Sequence, residues 1–489
     1  MSAETENKRV FDPPSPLADS AEKHAQAEEL ASAVRDKGGR AYYVGGCVRD
    51  LLLGRQIKDV DIEVHGIAPE VLEGLLDGLG KRLEFGESFG IYTLAGSGID
   101  IALPRRERRS GPGHRDFDVE FDPYIGTEGA ARRRDFTVNA LMRDVLTGEI
   151  IDHFGGLDDL KKKVLRHVDD RTFPEDALRV LRGAQFAARF GFTLAEDTAR
   201  LCREIPLNFL PKERVEAELK KALLLSDRPS RFFEVLRKCG QLGEWFPEVE
   251  ALIGGEQPPL YHAEGDVWNH TMMVLDAAAK RREEANEPFG LMLAALCHDF
   301  GKTVCTEVID GKIHAYGHEE LGLPIVGKFL DRITGEKKLK RYVLSLVGLH
   351  MKPNVLANAR SGLKATNRLF DEAADGEDLI LLALADEEGR LGKANGDNAE
   401  NEAFLRERLR EYRKTMAEPF VTGEDLIRAG IRPDRDFSAL LAYSHKLRLS
   451  GVGKKEALSQ TLALAGKRKK TDAGKDDEKV DEKDDGKNG

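Results

Sequence analysis

Two groups of residues in this chain have the types and spacing that chemistry requires. The first is GGCVRDLLLGRQIKDVDIEV at 45–64. Gly45 and Gly46 close a β-prone run and open a helical one, so their backbone N–H groups can approach a phosphate closely. Arg49, one helical turn on, suits the same anion. Asp59 and Asp61 are spaced i, i+2, which on a strand puts both carboxylates on one face. Carboxylates side by side repel unless a cation sits between them, and Mg²⁺, a hard ion that seeks oxygen, fits that place. Such a platform serves phosphoryl transfer, in which a hydroxyl is activated and a triphosphate neutralised.

The second group is an ordered series: His262 and His270 in YHAEGDVWNHT, His298, Asp299 and Lys302 in LCHDFGK, His318 in AYGHEELG, His350 in VGLHMKP and Asp386 in LALADEEGR. Imidazole and carboxylate together suit Mn, Fe, Co, Ni or Zn better than Ca. Asp299, beside His298, is placed to bridge toward a second ion. Any one of these histidines alone reads as an ordinary core or surface side chain. The ordered set carries the signal.

These residues need a frame. The chain has 489 residues, room for about three domains at roughly 150 residues each. Hydrophobic residues are 41% and charged residues 33%, an ordinary globular mixture with enough apolar material for a core. Strand-like runs (RAYYVGG, DVDIEVHG, YTLAG, IDIALPR) fall within residues 40–150, with helical patterns between them. From residue 157 onward helical periodicity dominates, as in EDALRVLRGAQFAARF and RVEAELKKALLL, and QPPL at 257–260 breaks the helical body. The expected fold class is therefore α+β. A small mixed-sheet head spans 23–155, a helical neck and body 156–260, an all-α metal domain 261–395 and a helical C-terminal region 396–465. Residues 1–22 and 466–489 are expected to be disordered, the latter carrying eight positive and eight negative side chains and little that is apolar.

No run of about 18 apolar residues is present, so no membrane span is expected, and no apolar stretch follows the N-terminal charges as a secretory signal would require. The five scattered cysteines, without a CxxC, read as reduced thiols of a cytoplasmic protein. The net charge of −11 disfavours non-specific coating of nucleic acid. Basic patches at 105–115 (RRERRSGPGHR), 132–134 and 161–166 supply local positive surface, with a solvated face as the alternative for each.

The glycines, Arg49, Asp59 and Asp61, in this order and spacing, resemble the signature of the class II tRNA nucleotidyltransferase and poly(A) polymerase superfamily, whose head is polymerase-β-like. Further blocks extend the likeness. Asp100 in GIDIA falls where many such heads place a third acidic residue, a structural strand Asp being the equal reading. ARRRDFTVNAL at 131–141 resembles the ribose-recognition block, with Arg133, Arg134 and Asp135 as its RRD, and implies that Asp135 accepts from a ribose 2′-hydroxyl. DHFGGLDDLKKKVLR at 152–166 resembles the hinge block, and PKERVEAELKK at 211–221 the block that braces the neck helix. EDALRVLR at 175–182 resembles the base-recognition block. There Asp176 is an acceptor and Arg179 a donor, i, i+3 on one helix face. Cytosine and adenine each present an amino donor beside a ring-nitrogen acceptor, and guanine and uracil the reverse. An acceptor–donor edge on the protein thus takes C and A without a template. A surface ion pair is the alternative. Arg182 suits a triphosphate or tRNA backbone. Family members often carry Arg where this chain has Gln185, which leaves that third contact open. The segment with Arg105, Arg106, Arg108 and Arg109 lies where class II enzymes have a flexible loop needed to add the terminal A.

The histidine–aspartate series resembles the HD-superfamily metal phosphohydrolases, with every ligand position (His270, His298, Asp299, His318, His350, Asp386) filled, Lys302 as a phosphate contact and His262 behind the ligands or on the surface. The resemblance implies phosphatase and 2′,3′-cyclic phosphodiesterase activity with a divalent transition metal such as Ni²⁺, Mn²⁺, Co²⁺ or Fe²⁺. The combined reading is a CCA-adding enzyme that uses tRNA, ATP, CTP and Mg²⁺, with an appended phosphohydrolase and no membrane partner. Two alternatives stand beside it: CC-addition, A-addition or poly(A) synthesis by the same chemistry, or a non-catalytic RNA-binding head feeding an HD hydrolase. Oligomeric state leaves no mark in the sequence.

Overall fold

The computed structural model describes residues 21–57, 59–80, 82–84, 91–94, 98–109, 117–391 and 398–477. Two compact units divide the chain: Met1–Glu250 with Arg332–Thr334, and Ala251–Asp331 with Gly335–Gly489.

The first unit opens with helix α1 (Ala21–Asp36), which buries Ala27, Leu30, Ala31 and Val34, an i, i+3, i+4, i+7 stripe. It packs on strand β1 (Arg40–Val44), and α2 (Gly46–Leu52) follows at once. The strands β2 (Val60–His65), β3 (Arg82–Glu84), β4 (Ile91–Leu94) and β5 (Ile99–Ala102) come next. They are followed by β6 (Arg105–Arg109), β7 (Phe117–Phe121), β8 (Met142–Asp144) and β9 (Ile150–Ile151). Seven of these form one mixed sheet in the order β3-β4-β5-β2-β1-β8-β9, with β2 and β5 parallel and the other pairs antiparallel. The mixed-sheet head with a helical continuation matches the expected α+β class.

The arginine run departs from the expected loop. Residues 105–109 form β6, paired antiparallel with β7 as a separate hairpin. In the backbone register Arg106 is the partner of Glu120 and Arg108 of Asp118. Residues 110–116 lie outside the described residues.

The neck is α3 (Leu178–Phe190), which packs against both α4 (Lys212–Leu225) and α5 (Ser230–Lys238). Phe136, fully buried, joins head to neck by edge contacts with Phe173 and Phe186.

The second unit is nearly all helical. α6 (Val267–Arg281), α7 (Pro288–Cys297), α8 (Lys337–Leu349) and α9 (Gly376–Glu388) pack together, and α7 and α9 are buried along almost their whole length. Between α7 and α8 a short hairpin, β10 (Glu307–Ile309) with β11 (Lys312–His314), is the strand pair of this unit among the described residues. Helix α10 (Asn398–Ala417) continues from α9, and α11 (Lys454–Asp477) closes the described chain. The tail expected to lack structure from 466 is helical as far as Asp477. The buried Ala457, Thr461 and Ala465 form the packed stripe of this helix. Residues 1–20 and 478–489 lie outside the described residues.

Candidate functional site

The sheet assembles the first site. Asp61 lies on β2 and Asp100 on β5, and the parallel register makes them direct partners. Asp59 is exposed and sits one residue before β2, rather than within it. Burial pushes the Asp61 carboxyl above its ordinary range, Arg134 opposes that, and the Asp100 and Asp59 carboxylates add to it. Thr93 donates to Asp100 Oδ1 at 2.6 Å. Gly45 borders this group with φ of 69°, and a side chain there would come within 3.4 Å of Arg134 Nη1. Three neighbouring acidic groups, on and beside the central strands β2 and β5, suit a divalent cation bound through oxygen.

A cavity of about 390 Å³ extends from these carboxylates to the neck. Asp61, Asp100, Arg105, Arg133, Arg134, Asp176 and Arg179 line it. Arg134 donates to Glu63 Oε2 at 3.2 Å, and Glu63 also pairs with His65 at 2.8 Å. Arg179 gives one hydrogen bond each to the carbonyls of Thr172 and Arg133, both 2.7 Å, which fixes its planar head. Asp176 accepts from Arg214 at 3.1 Å and from the Leu178 amide at 3.1 Å. Asp176 and Arg179 are thus held on the wall of the cavity that the carboxylates line.

Three expected contacts take another form. Arg49 is turned inward: it is buried, donates to Asn139 Oδ1 at 2.6 Å and to Asp50 Oδ1, and stacks over Phe190 at 4.3 Å. A guanidinium held on every side by acceptors and rings braces head against neck and has no free fork for a phosphate. Asp135 is buried as well. Its Oδ1 accepts from the Phe136 amide at 2.8 Å and from Asn139 at 2.9 Å, and its Oδ2 pairs with Arg182 at 2.8 Å. Burial alone would raise the Asp135 carboxyl, but Arg182 and Asn139 outweigh it and hold it below the ordinary range. Arg182, expected at a triphosphate or RNA backbone, has this buried pair instead. Gln185 is 1% exposed, and its Nε2 has no hydrogen-bond partner among the described residues.

The second site lies within the helical unit. His270 (α6), His298 and Asp299 (after α7), His318, His350 (after α8) and Asp386 (α9) are all buried. Four imidazoles converge by their Nε2 atoms: His270 and His298 at 3.4 Å, His318 and His350 at 3.2 Å. Their Nδ1 atoms face outward to acceptors: Ala295 O for His298 (2.9 Å), Ala315 O for His318 (2.8 Å), Val347 O for His350 (2.7 Å) and Glu264 Oε1 for His270 (3.0 Å). Each Nδ1–H donating outward leaves an Nε2 lone pair turned inward, the arrangement of metal-ligating histidine. Asp299 sits between the pairs, with Oδ1 3.3 Å from His318 and Oδ2 3.2 Å from His298. Asp386 Oδ1 lies 3.0 Å from His270. Lone pairs facing one another at these distances fit cations, and among the described residues three overlapping groups could hold one: His262, Glu264 and His270; His270, His298 and Asp299; and Asp299, His318 and His350, the last two sharing Asp299. Burial, with His298 and His318 nearby, pushes His350 down to about 3, so its imidazole is neutral and free to ligate. Gly301 is required here, because a side chain would meet His318 O at 1.9 Å.

Lys302 pairs with Asp299 Oδ2 at 2.7 Å and donates to Gln257 at 2.7 Å. A cavity of about 350 Å³ opens beside the cluster. His262 stacks edge-on against His270 and shares Glu264 with it at 2.8 Å. Glu264 and Arg390 also contact the cluster, although spacing did not flag them. Glu264 also accepts from the Leu391 amide at 3.0 Å, and these bonds overcome burial to hold its carboxyl at about 2. Arg390 reaches back one turn to Asp386 at 3.0 Å. The only signals were a carboxylate between two histidines, and an Arg four residues after an Asp.

Comparisons with known proteins match the head, the neck and the helical domain. Residues 41–166 match the poly A polymerase head domain, 191–253 the probable RNA and SrmB-binding site of polymerase A, and 267–390 the HD domain. A multifunctional CCA protein of Actinobacillus pleuropneumoniae is 37% identical over 365 residues, 72% of this chain and 86% of that protein. One of Nitrosococcus oceani is 37% identical over 400 residues, 80% and 93% respectively. The Thermotoga maritima CCA-adding enzyme, solved with tRNA, shares the fold with a TM-score of 0.59 at 22% identity, covering 91% of this chain and 98% of that one. A CCA-adding enzyme solved with ATP gives 0.63 at 21% identity, covering 94% and 98%.

Proposed function

This chain belongs to the family of multifunctional CCA proteins, and on that premise we propose that it adds C, C and A to tRNA 3′ ends from CTP and ATP, while its HD domain hydrolyses phosphoesters. The observation that carries the first half is one cavity whose lining includes both Asp61 and Asp100 and the neck residues Asp176 and Arg179. A nucleotide filling it sets its phosphates at the carboxylates and its base at the neck pair.

Nucleotidyltransferase and HD domains use divalent metal ions. In the head, Asp59, Asp61 and Asp100 would hold Mg²⁺, which when bound supplies charge neutralisation for the triphosphate and lowers the pKa of the attacking 3′-hydroxyl. The chain's own groups do the rest. Arg133 and Arg134 offer positive charge along the cavity wall. Asp176 accepts from the amino group of cytosine or adenine, and Arg179 donates to the neighbouring ring nitrogen. Their outer hydrogen bonds to Arg214, Thr172 O and Arg133 O preset that edge before the base arrives.

In the HD domain, His270, His298, Asp299, His318, His350 and Asp386 would hold one or two divalent ions such as Ni²⁺, Mn²⁺, Co²⁺ or Fe²⁺, which when bound activate a water toward phosphorus. Lys302 places its ammonium beside the cluster for the phosphate. A cytoplasmic location, with its five free cysteines reduced, belongs to the same proposal. Among the described residues no helix is long and apolar enough to cross a membrane.

The test uses purified protein, Mg²⁺ and tRNA transcripts ending before CCA, with products read at single-nucleotide resolution. CTP alone should give two additions, and a third should need ATP. A stop at CC or a long A tail would instead indicate a different product from the same chemistry. Extension unaffected by Asp59→Ala would assign the head a binding role only.

A further inference from the structure

The cavity beside the HD cluster has one wall that hydrolysis of a phosphate does not require. The hairpin strand β11 ends at His314, and the chain runs through Ala315 and Tyr316 into His318. The rings of His314 and Tyr316 stack, with centroids 4.8 Å apart and planes 17° from parallel. Both line the cavity, as does Tyr261. Tyr316 is 69% exposed although His314 covers one face, so its other face is open. The pair is rigidly tied to the cluster, because Ala315, between the two rings, gives its carbonyl to His318 Nδ1. An open aromatic face beside a buried histidine–aspartate cluster with a lysine at its side is the surface on which a planar base lies while its phosphate is held.

We propose that His314 and Tyr316 form a base shelf, so that the HD domain selects phosphoesters carrying a nucleobase over phosphoesters without one. The proposal deepens the phosphohydrolase reading of this site and rests on it. The chemistry fits a free nucleotide and the terminal nucleotide of an RNA equally, since either presents a base and a ribose phosphate. Stacking accepts any base, so the shelf sets the class of substrate and Lys302 with the cluster sets the phosphate position.

The test compares the full chain with Tyr316→Ala, Tyr316→Phe and His314→Ala on three substrates: adenosine 2′,3′-cyclic phosphate, an RNA oligonucleotide ending in a 2′,3′-cyclic phosphate, and glycerol 2-phosphate. The readout is the ratio of kcat/KM for each base-bearing substrate to that for glycerol 2-phosphate. Tyr316→Ala should lower that ratio about 5- to 150-fold, the range produced by removing a base-stacking ring, and should do so through KM. Tyr316→Phe, which keeps the ring, should restore it. A fall confined to the RNA end identifies the shelf with a terminal nucleotide, and one confined to the mononucleotide with a free ligand. Both outcomes support the shelf. An unchanged ratio in Tyr316→Ala and His314→Ala overturns it and leaves the phosphohydrolase reading intact. If the wild-type chain hydrolyses none of the three substrates, the phosphohydrolase reading fails, and the shelf with it. Tyr316 is mostly exposed, so its truncation leaves the core in place.

Discussion

Asp61 and Asp100 are direct partners across the parallel β2–β5 pairing, and burial together with the neighbouring carboxylates raises the Asp61 pKa. Like charges at that separation make the metal-free head less stable than it would be with one of them neutral. Asp61→Asn should therefore raise the Tm measured in EDTA, and it should lower nucleotide addition by at least about 10²-fold, the scale of losing one preorganised electrostatic contact to the reacting groups. Mg²⁺ should raise the Tm of the wild type more than that of the variant. A variant that is no more stable in EDTA, yet inactive, would contradict this reading of the carboxylates.

The neck pair sets base choice by hydrogen bonding alone. Arg179→Ala or Asp176→Ala should increase misincorporation of U and G relative to C and A by about 10- to 100-fold, the equivalent of losing one charged hydrogen bond. Arg214→Ala acts through Asp176, which it holds at 3.1 Å. It should weaken discrimination less, while leaving the rate of hydrolysis by the HD domain unchanged. Steady-state incorporation of each of the four NTPs into a CCA-lacking tRNA measures both effects.

Asp135 faces Arg182 and Asn139 rather than the cavity. Its Asn variant should lower the Tm while leaving the ratio of ATP to dATP use within about twofold of wild type, far less than the 10-fold or more expected of a lost charged hydrogen bond to ribose. The pH dependence has a definite sign. The folded carboxyl is held below its unfolded value of 3.8, so its contribution to stability is complete above that value and is lost as the pH falls through the folded one. Acid unfolding of Asp135→Asn should be shallower than that of the wild type. A large gain in dATP use would restore a ribose contact to this residue.

Glu264 holds His270 by its Nδ1 and pins the end of α9 through the Leu391 amide. Glu264→Gln should reduce the affinity of the HD domain for its divalent ion about 10- to 100-fold, the usual cost of losing a partner behind a ligand. Calorimetric metal titration measures this directly, and tRNA extension should be unaffected. A loss of extension in Glu264→Gln would mean that the change disturbs more than the HD cluster.

Much of this was legible in the sequence because the chemistry lies in short blocks. The HD pair and Asp61 stand out by local spacing, but Asp59 sits one residue before β2 and Asp176 lies in extended backbone two residues before α3, so the strand and helix periods do not account for the Asp59–Asp61 and Asp176–Arg179 pairs. What was not legible depends on distant chain. Arg49 reads as an anion contact until Phe186, Phe190 and Asn139, more than 85 residues away, enclose it. Asp135 reads as ribose-facing until Arg182 arrives from the neck helix. The arginine run reads as a loop from its place in the family resemblance, and only the fold shows residues 105–109 paired with β7. Glu264 and Arg390 escaped because a lone Glu or Arg near a histidine is common, and only the folded geometry turns them onto His270 and Asp386.

The central claim is that one chain carries two active sites of different chemistry, each with its own carboxylate centre. Asp61→Asn and Asp299→Asn, assayed side by side on the same two substrates, test it most directly. Asp61→Asn should abolish CTP- and ATP-dependent extension of a CCA-lacking tRNA while hydrolysis of adenosine 2′,3′-cyclic phosphate persists. Asp299→Asn should do the reverse. Loss of both activities in either folded variant, or retention of extension in Asp61→Asn, would contradict it.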